Sequence, residues 1–246
     1  MTHCKNCNSA LRPNENFCHN CGQPIHLKRI DKHYVYHEVF HLLHFEKGFF
    51  YNVRELMIRP GHSIREFITE NRTKHMKPIA FLILTSLLFT LISHLFHADE
   101  IYNGKEQLMF GKSSIAAIQN WVETHYGYAN IIMGGFIALW VKLLFRKYQY
   151  NFFEISVLLC FVMGQGMLLL TLETFFVNVL NEQLYKILLS IISLAYPTWA
   201  MGQFFDGNKV LNYVKAFLAY FLGYLLFYAG VIFLGLLIDL ILASKS

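Results

Sequence analysis

Charge is scarce in this chain. It has 16 Asp and Glu against 21 Lys and Arg in 246 residues, and charged residues make up 15% of the total, where a soluble domain carries about 25%. That deficit excludes a water-facing surface over most of the length. Also missing are the constellations of common enzymes: no phosphate-cradling glycine loop, no Ser-His-Asp arrangement and no paired carboxylates. The start, MTHCKNCNSA, has no apolar h-region, so a cleavable signal peptide is not expected. Apolar residues fill the balance at 55%, above the roughly 45–50% of soluble domains.

Residues 1–78 hold 12 of the 21 Lys and Arg, and most of the histidines. A basic region beside a membrane meets anionic headgroups more readily than nucleic acid. Lys5 and Arg12 alone are too small a footprint to make nucleic acid the expected partner. Within this region Cys4-x2-Cys7 and Cys18-x2-Cys21 form two thiolate pairs ten residues apart, the spacing of a small zinc ribbon over residues 1–25. Gly22 directly after Cys21 suits the turn. Four cysteines fill a tetrahedral site and leave no position for water, so the zinc is expected to be structural. Another soft metal such as iron, or redox use, is the alternative. So short a module cannot bury a core of its own, and metal binding is its expected folding energy. Zinc thiolates favour a reducing compartment. Cys160 stands alone in an apolar run and reads as a small buried hydrophobe.

Beyond Pro78 the pattern changes. Five apolar stretches are long enough to cross a bilayer, at about 79–96, 129–145, 155–172, 184–204 and 213–242, the fourth with Pro197 inside it. The last exceeds the about 20 residues a crossing needs. Lys142, Arg146 and Lys147, then Lys209 and Lys215, mark alternate connections, whereas 173–183 contains Glu173 and Glu182 without Lys or Arg. This alternation predicts the N-terminus inside and the C-terminus outside, and it agrees with reduced cysteines in the cytoplasm. Polar groups within the spans are few: His94, Gln165, Gln203 and Asp239, with Glu154, Glu173, Lys142 and Lys186 near ends. Gln165, between Gly164 and Gly166, and Gln203 are the candidates for a pocket in the bundle, with helix–helix glue the plainer role for Gln165. Asp239 stands close enough to the C-terminus to reach the outer headgroups.

Residues 26–77 read as amphipathic helices on the cytoplasmic face. From Asp31, Val35, Val39, Leu42 and Leu43 share one side, and His33, His37, His41 and His44 the other. The histidine row could hold a second metal or sense pH. It reads better as the polar face of a helix lying on the membrane beside Lys28, Arg29 and Lys32. Gly48 marks a break before the apolar stretch FFYNVRELMI. Pro60-Gly61 is a turn, Ser63 to Glu66 a capping box, and a helix is expected from Ile64 to about Asn71. Arg72, Lys74 and Lys77, with His75, then form a basic collar for lipid headgroups.

Residues 45–83, FEKGFFYNVRELMIRPGHSIREFITENRTKHMKPIAFLI, resemble the core motif of an uncharacterised bacterial integral membrane family, catalogued as a domain of unknown function, which often carries an N-terminal zinc ribbon. The resemblance rests on Gly48-Phe49, Arg59-Pro60-Gly61, Ile64 to Phe67 and Lys77-Pro78, and on the Asn-aromatic-x-Glu start at Asn151. Glu70-Asn71-Arg72 departs from the pattern, which has a glycine and a fuller basic step there. The resemblance implies an inner-membrane protein and carries no activity with it.

The expected architecture is an all-α polytopic membrane protein of about five transmembrane helices with a small N-terminal zinc ribbon. The leading functional reading is a membrane-anchored interaction or regulatory platform with a cytoplasmic protein partner and room for homo-oligomers. A small transporter or lipid-handling protein ranks second, and a membrane enzyme with metal on the histidine row last.

Overall fold

The computed structural model describes residues 3–12, 15–25, 31, 48–96, 113–176 and 179–244. Among these the chain is helical: α1 (Phe49–Ile58), α2 (Pro60–Thr69), α3 (Pro78–Leu95), α4 (Ser114–Thr124), α5 (Tyr126–Leu144), a 3-10 turn (Arg146–Tyr148), α6 (Phe152–Thr174), α7 (Glu182–Asp206) and α8 (Val210–Ala243). Five of them, α3, α5, α6, α7 and α8, are long and apolar enough to cross a membrane. Their ends lie within three residues of the stretches read from hydropathy.

Local chemistry explains where these helices start. Pro78 occupies the first turn of α3, where its missing N–H costs nothing. Asn151 and Glu154 form a reciprocal capping box at the head of α6. The Asn151 side chain accepts from the Glu154 N–H at 2.9 Å, and the Glu154 carboxylate accepts from the Asn151 N–H at 2.8 Å. Asn181 caps α7 one way only, its side chain accepting from the Leu184 N–H at 2.8 Å. The box expected at Ser63 is not used. Pro60 starts α2 four residues earlier than Ile64, and Ser63 lies inside the helix, buried, with its hydroxyl unpartnered among the described residues. Early helical backbone is needed because Gly61 presses against α7: a Cβ there would sit 2.3 Å from the carbonyl carbon of Gln203.

The bundle has an apolar core with a few polar side chains buried in it, and its outer surface is apolar as well. Asn130, Gln165, Thr85, Ser86, Thr174 and Asn212 are buried, while Leu, Ile and Phe side chains of α8 such as Leu225, Phe233, Leu236 and Leu240 face outward. A water-soluble domain shares the apolar core but has a polar exterior, so hydrocarbon is the solvent this surface suits. α6 is central: it packs on α3, α5 and α7, and α1 and α2 also rest against it. Its best crossing window is 56% buried, against 17% for α8.

At 34 residues α8 is about 51 Å long, more than a bilayer core requires. α4 covers the surplus. It lies in a connection that hydropathy marks as loop, and Asp239 of α8 accepts a hydrogen bond from the Ser114 N–H at 3.0 Å. Asp239 thus holds the start of α4, a partner within the protein where the sequence suggested headgroups.

α1 and α2 sit at the end of the bundle that carries the start of α3, here the proximal end. Tyr196 of α7 donates to the Leu56 carbonyl at 3.0 Å, and Arg65 Nη1 donates to the carbonyls of Gln203 and Phe204, both at 2.6 Å. Residues 26–47 of the amphipathic segment, the histidine row included, lie outside the described residues apart from Asp31.

Helix contact here depends on small residues. A Cβ on Gly223 would approach the Ile137 backbone to 2.5 Å, whereas Gly230 meets nothing within 4 Å. Gly223→Leu should therefore lower the thermal unfolding midpoint of the detergent-solubilised protein, at a cost of about 1–3 kcal/mol, and Gly230→Leu should leave it within error.

Candidate functional site

The N-terminal residues fold into two equivalent knuckles. In the first, the Cys4 N–H donates to the Ser9 carbonyl at 2.9 Å and the Asn8 N–H to the Cys4 carbonyl at 2.9 Å. In the second, the Cys18 N–H donates to the Gln23 carbonyl at 2.8 Å and the Gly22 N–H to the Cys18 carbonyl at 2.8 Å. Asn8 and Gly22 occupy matching positions and share the left-handed backbone, with φ of 59° and 72°. That conformation is open to asparagine and glycine at low cost, which accounts for both residues. Each loop closes with a single bridge, His3 to Ala10 and Phe17 to Pro24.

The two loops bring Cys4, Cys7, Cys18 and Cys21 together, with all four sulfurs within 4.8 Å of one another. The Sγ atoms of Cys4 and Cys21 are 3.6 Å apart, as are those of Cys7 and Cys18. A tetrahedral zinc with Zn–S bonds of about 2.3 Å requires S···S edges of about 3.8 Å, so the geometry fits a metal ion of that kind. Ser9 Oγ lies 3.0 Å from Cys7 Sγ and 3.2 Å from Cys18 Sγ. Hydrogen bonding from Ser9 holds the Cys7 thiol down at about 5 and lowers Cys18 as well. Four thiols so close cannot all ionise side by side without a cation to offset the repulsion. The cluster can bind a metal ion, and it holds no position for substrate.

The knuckles dock on the segment between α2 and α3. Gln23 is 3% exposed: its Nε2 donates to the Glu70 carbonyl at 2.8 Å and its Oε1 accepts from the Thr73 hydroxyl at 3.1 Å. Asn71 is fully buried. Its Nδ2 donates to Asn6 Oδ1 at 2.9 Å, and its Oδ1 accepts from the Thr73 N–H at 3.0 Å. Lys5 and Glu70 approach to 3.8 Å across an exposed rim, a contact worth little. The docking surface includes Glu70 and Asn71, and sequence spacing gives no sign of it.

Two residues further on, His75 anchors the segment to the bundle. It is 4% exposed, its Nδ1 lies 2.9 Å from Asn52 Oδ1, and the rings of Tyr51, Phe67 and Phe161 surround it. Burial pushes its pKa down to about 4. Gly48, with φ of 120°, starts α1 so close that a Cβ would meet the Lys74 carbonyl oxygen at 2.6 Å. Only glycine fits that approach.

The other candidate residues fall in separate places. Arg72 caps α2, donating to the carbonyls of Phe67 and Ile68 at 3.3 and 3.1 Å and lying over the Phe67 ring. Lys74 is exposed, and Lys77 is the N-cap of α3. His33, His37, His41 and His44 lie outside the described residues. Gln165 is buried with its Oε1 unpartnered among the described residues. Gln203 lines a polar cavity of about 640 Å³ at the proximal end. A second cavity of about 400 Å³ lies toward the distal half, lined chiefly by apolar and aromatic side chains with Asn130, Ser190 and Ser193. Gln165 lines neither cavity.

Residues 46–90 match the model of a family described as "Protein of unknown function (DUF3667)". No curated protein and no solved structure matches the chain. The matched segment covers α1, α2, the docking segment and most of α3.

Two outcomes follow from this geometry. Asn71→Ala removes three side-chain hydrogen bonds, to Asn6, the Thr73 N–H and the Thr73 hydroxyl, at about 0.5–1.5 kcal/mol each, and should speed hydrogen–deuterium exchange in residues 3–25 while the metal content of the protein is unchanged. The His75 pKa is lower in the folded state than its ordinary value of about 6.5, so the unfolded chain takes up the proton first as pH falls. Stability should decline by about 2 kcal/mol between pH 6.5 and 5, and His75→Phe should flatten that decline in denaturation curves.

Proposed function

We propose that this is an integral membrane protein which holds a structural zinc ribbon against the membrane surface as an interaction or regulatory platform. The observation that carries this reading is the docking of Gln23, Asn6 and Lys5 on residues 70–73, five residues before the first span begins. Cys4, Cys7, Cys18 and Cys21 would hold the ion, which would supply folding energy to a module too small to fold on apolar burial. A closed four-cysteine site has no open position for water or substrate, and this argues against catalysis there.

The proximal end faces the cytoplasm in this reading. Support comes from Lys142, Arg146, Lys147, Lys209 and Lys215 on the connections at that end, and from the need of thiolates for a reducing compartment. The C-terminus is then outside, and in a bacterial cell the location is the inner membrane. Phe17, 61% exposed on the second knuckle, offers an apolar contact for a cytoplasmic protein. The open apolar flank of α8 serves the bilayer or a second copy of the chain. A second reading, lipid handling, draws on the distal cavity, whose aromatic walls and few hydroxyls suit an acyl chain.

The full chain with Cys4→Ser and Cys18→Ser should lose its single equivalent of zinc by elemental analysis, keep all five crossings, and release any protein that co-purifies with the wild type. Intact, thiol-reduced protein without zinc, or labelling that places the N-terminal cysteines outside, would overturn the proposal.

A further inference from the structure

The proximal cavity of about 640 Å³ lies between α2, the 3-10 turn, the end of α7 and the start of α8. It is thus at the depth of helix ends, where a bilayer has its headgroups. Its walls include Arg65, His62, Tyr148, Tyr150 and Asn208. Nη1 of Arg65 is fixed by the α7 carbonyls at 2.6 Å, and its Nε and Nη2 make no hydrogen bond among the described residues. The guanidinium is therefore held in place with donors to spare, the arrangement that suits a phosphate. Asn212 Nδ2 donates to the Tyr148 hydroxyl oxygen at 2.8 Å, which leaves that hydroxyl's proton to be donated. Tyr150 is partly desolvated, and its phenol remains a protonated donor.

Charge around the cavity has one prevailing sign. The two connections that frame it, 142–150 and 206–215, carry Lys142, Arg146, Lys147, Lys209 and Lys215 against Asp206, and on α2 the Glu66 carboxylate lies 4.0 Å from His62 Nδ1. Asp206 lines the cavity, but it is paired with Lys209 at 2.7 Å. A neutral ligand would make no use of this field, and a cation would be repelled by it.

We infer that this cavity binds a phosphate group, with Arg65, His62 and the Tyr148 hydroxyl as its donors. The group can be part of an anionic lipid headgroup or a soluble phosphate, since both present the same oxygens. The site is independent of the metal cluster and of the platform reading.

The test uses the full chain in detergent micelles, titrated with short-chain phosphatidylglycerol, with phosphatidylcholine of the same chain length, and with inorganic phosphate. The wild type should bind phosphatidylglycerol saturably and in preference to phosphatidylcholine. Binding that inorganic phosphate does not displace assigns the site to headgroups; saturable binding of inorganic phosphate itself assigns it to a soluble ligand. Arg65→Gln should weaken the bound species by about ten-fold, the scale of one or two charges at such a surface. Because Arg65 also ties α2 to α7, His62→Glu serves as the second variant: the side chain is more than half exposed, so the change alters charge without removing packing. It should weaken binding to a similar degree while lowering the unfolding midpoint only by the small cost of a like-charge pair with Glu66 one turn away. Equal affinity in wild type and His62→Glu, equal retention of both lipids, or binding of neither phosphatidylglycerol nor inorganic phosphate would overturn the inference.

Discussion

Hydrocarbon outside the bundle is the constraint from which most of this architecture follows. Backbone groups in such a solvent must be satisfied within their own segment, so the crossings are helices and the irregular connections gather at the two ends. Apolar burial gives little reason for helices to associate there, and contact comes from shape and from polar groups turned inward. The close approach of Gly223 to Ile137 and of Gly164 to the Phe81 ring, and the buried Asn130–Ser86 pair, are instances of both. α1, at the proximal end, is mixed: it buries Asn52, Glu55 and Leu56 and presents Phe50 and Ile58 outward alongside Arg54.

The segment from Gly48 to Pro78 joins this bundle to the metal cluster. Its two short helices are pinned to α7 by Tyr196 and Arg65, while His75 and Asn52 close the contact beneath the ribbon. Gln23 and Asn71 then hold the knuckles on top. The same residues 46–90 match a family model of unknown function. Three attachments converge on one stretch of chain, and a shift in it would be felt at the ribbon, at α3 and in the proximal cavity together. The cavity's Arg65 and His62 also belong to α2.

Much of the helical layout was legible in advance because hydropathy over about 20 residues is a strong, local signal. The cysteine spacing was equally plain, and the sulfurs do converge. Capping was read correctly in kind and wrongly in place: the pattern at Ser63 was sound, but Pro60 and the pressure of Gly61 on α7 started the helix earlier, and the working box is at Asn151. α4 went unseen because eleven residues of mixed polarity carry a weak periodic signal and depend on Asp239, 125 positions away, to hold their start. Sequence shows the charge of Arg72 but not the carbonyls of Phe67 and Ile68 to which it donates.

What sequence alone decided, then, is the kind of solvent each segment meets and the chemistry of the four thiols, for both depend on residue type and short spacing. Tertiary structure decided the rest: that the ribbon rests on Asn71 and Thr73, that Arg65 is fixed at a cavity wall, and that Gln203 lines that same cavity. Those outcomes depend on which helix faces bring distant residues within 3 Å, and that is set by packing over the whole bundle, which no local pattern encodes.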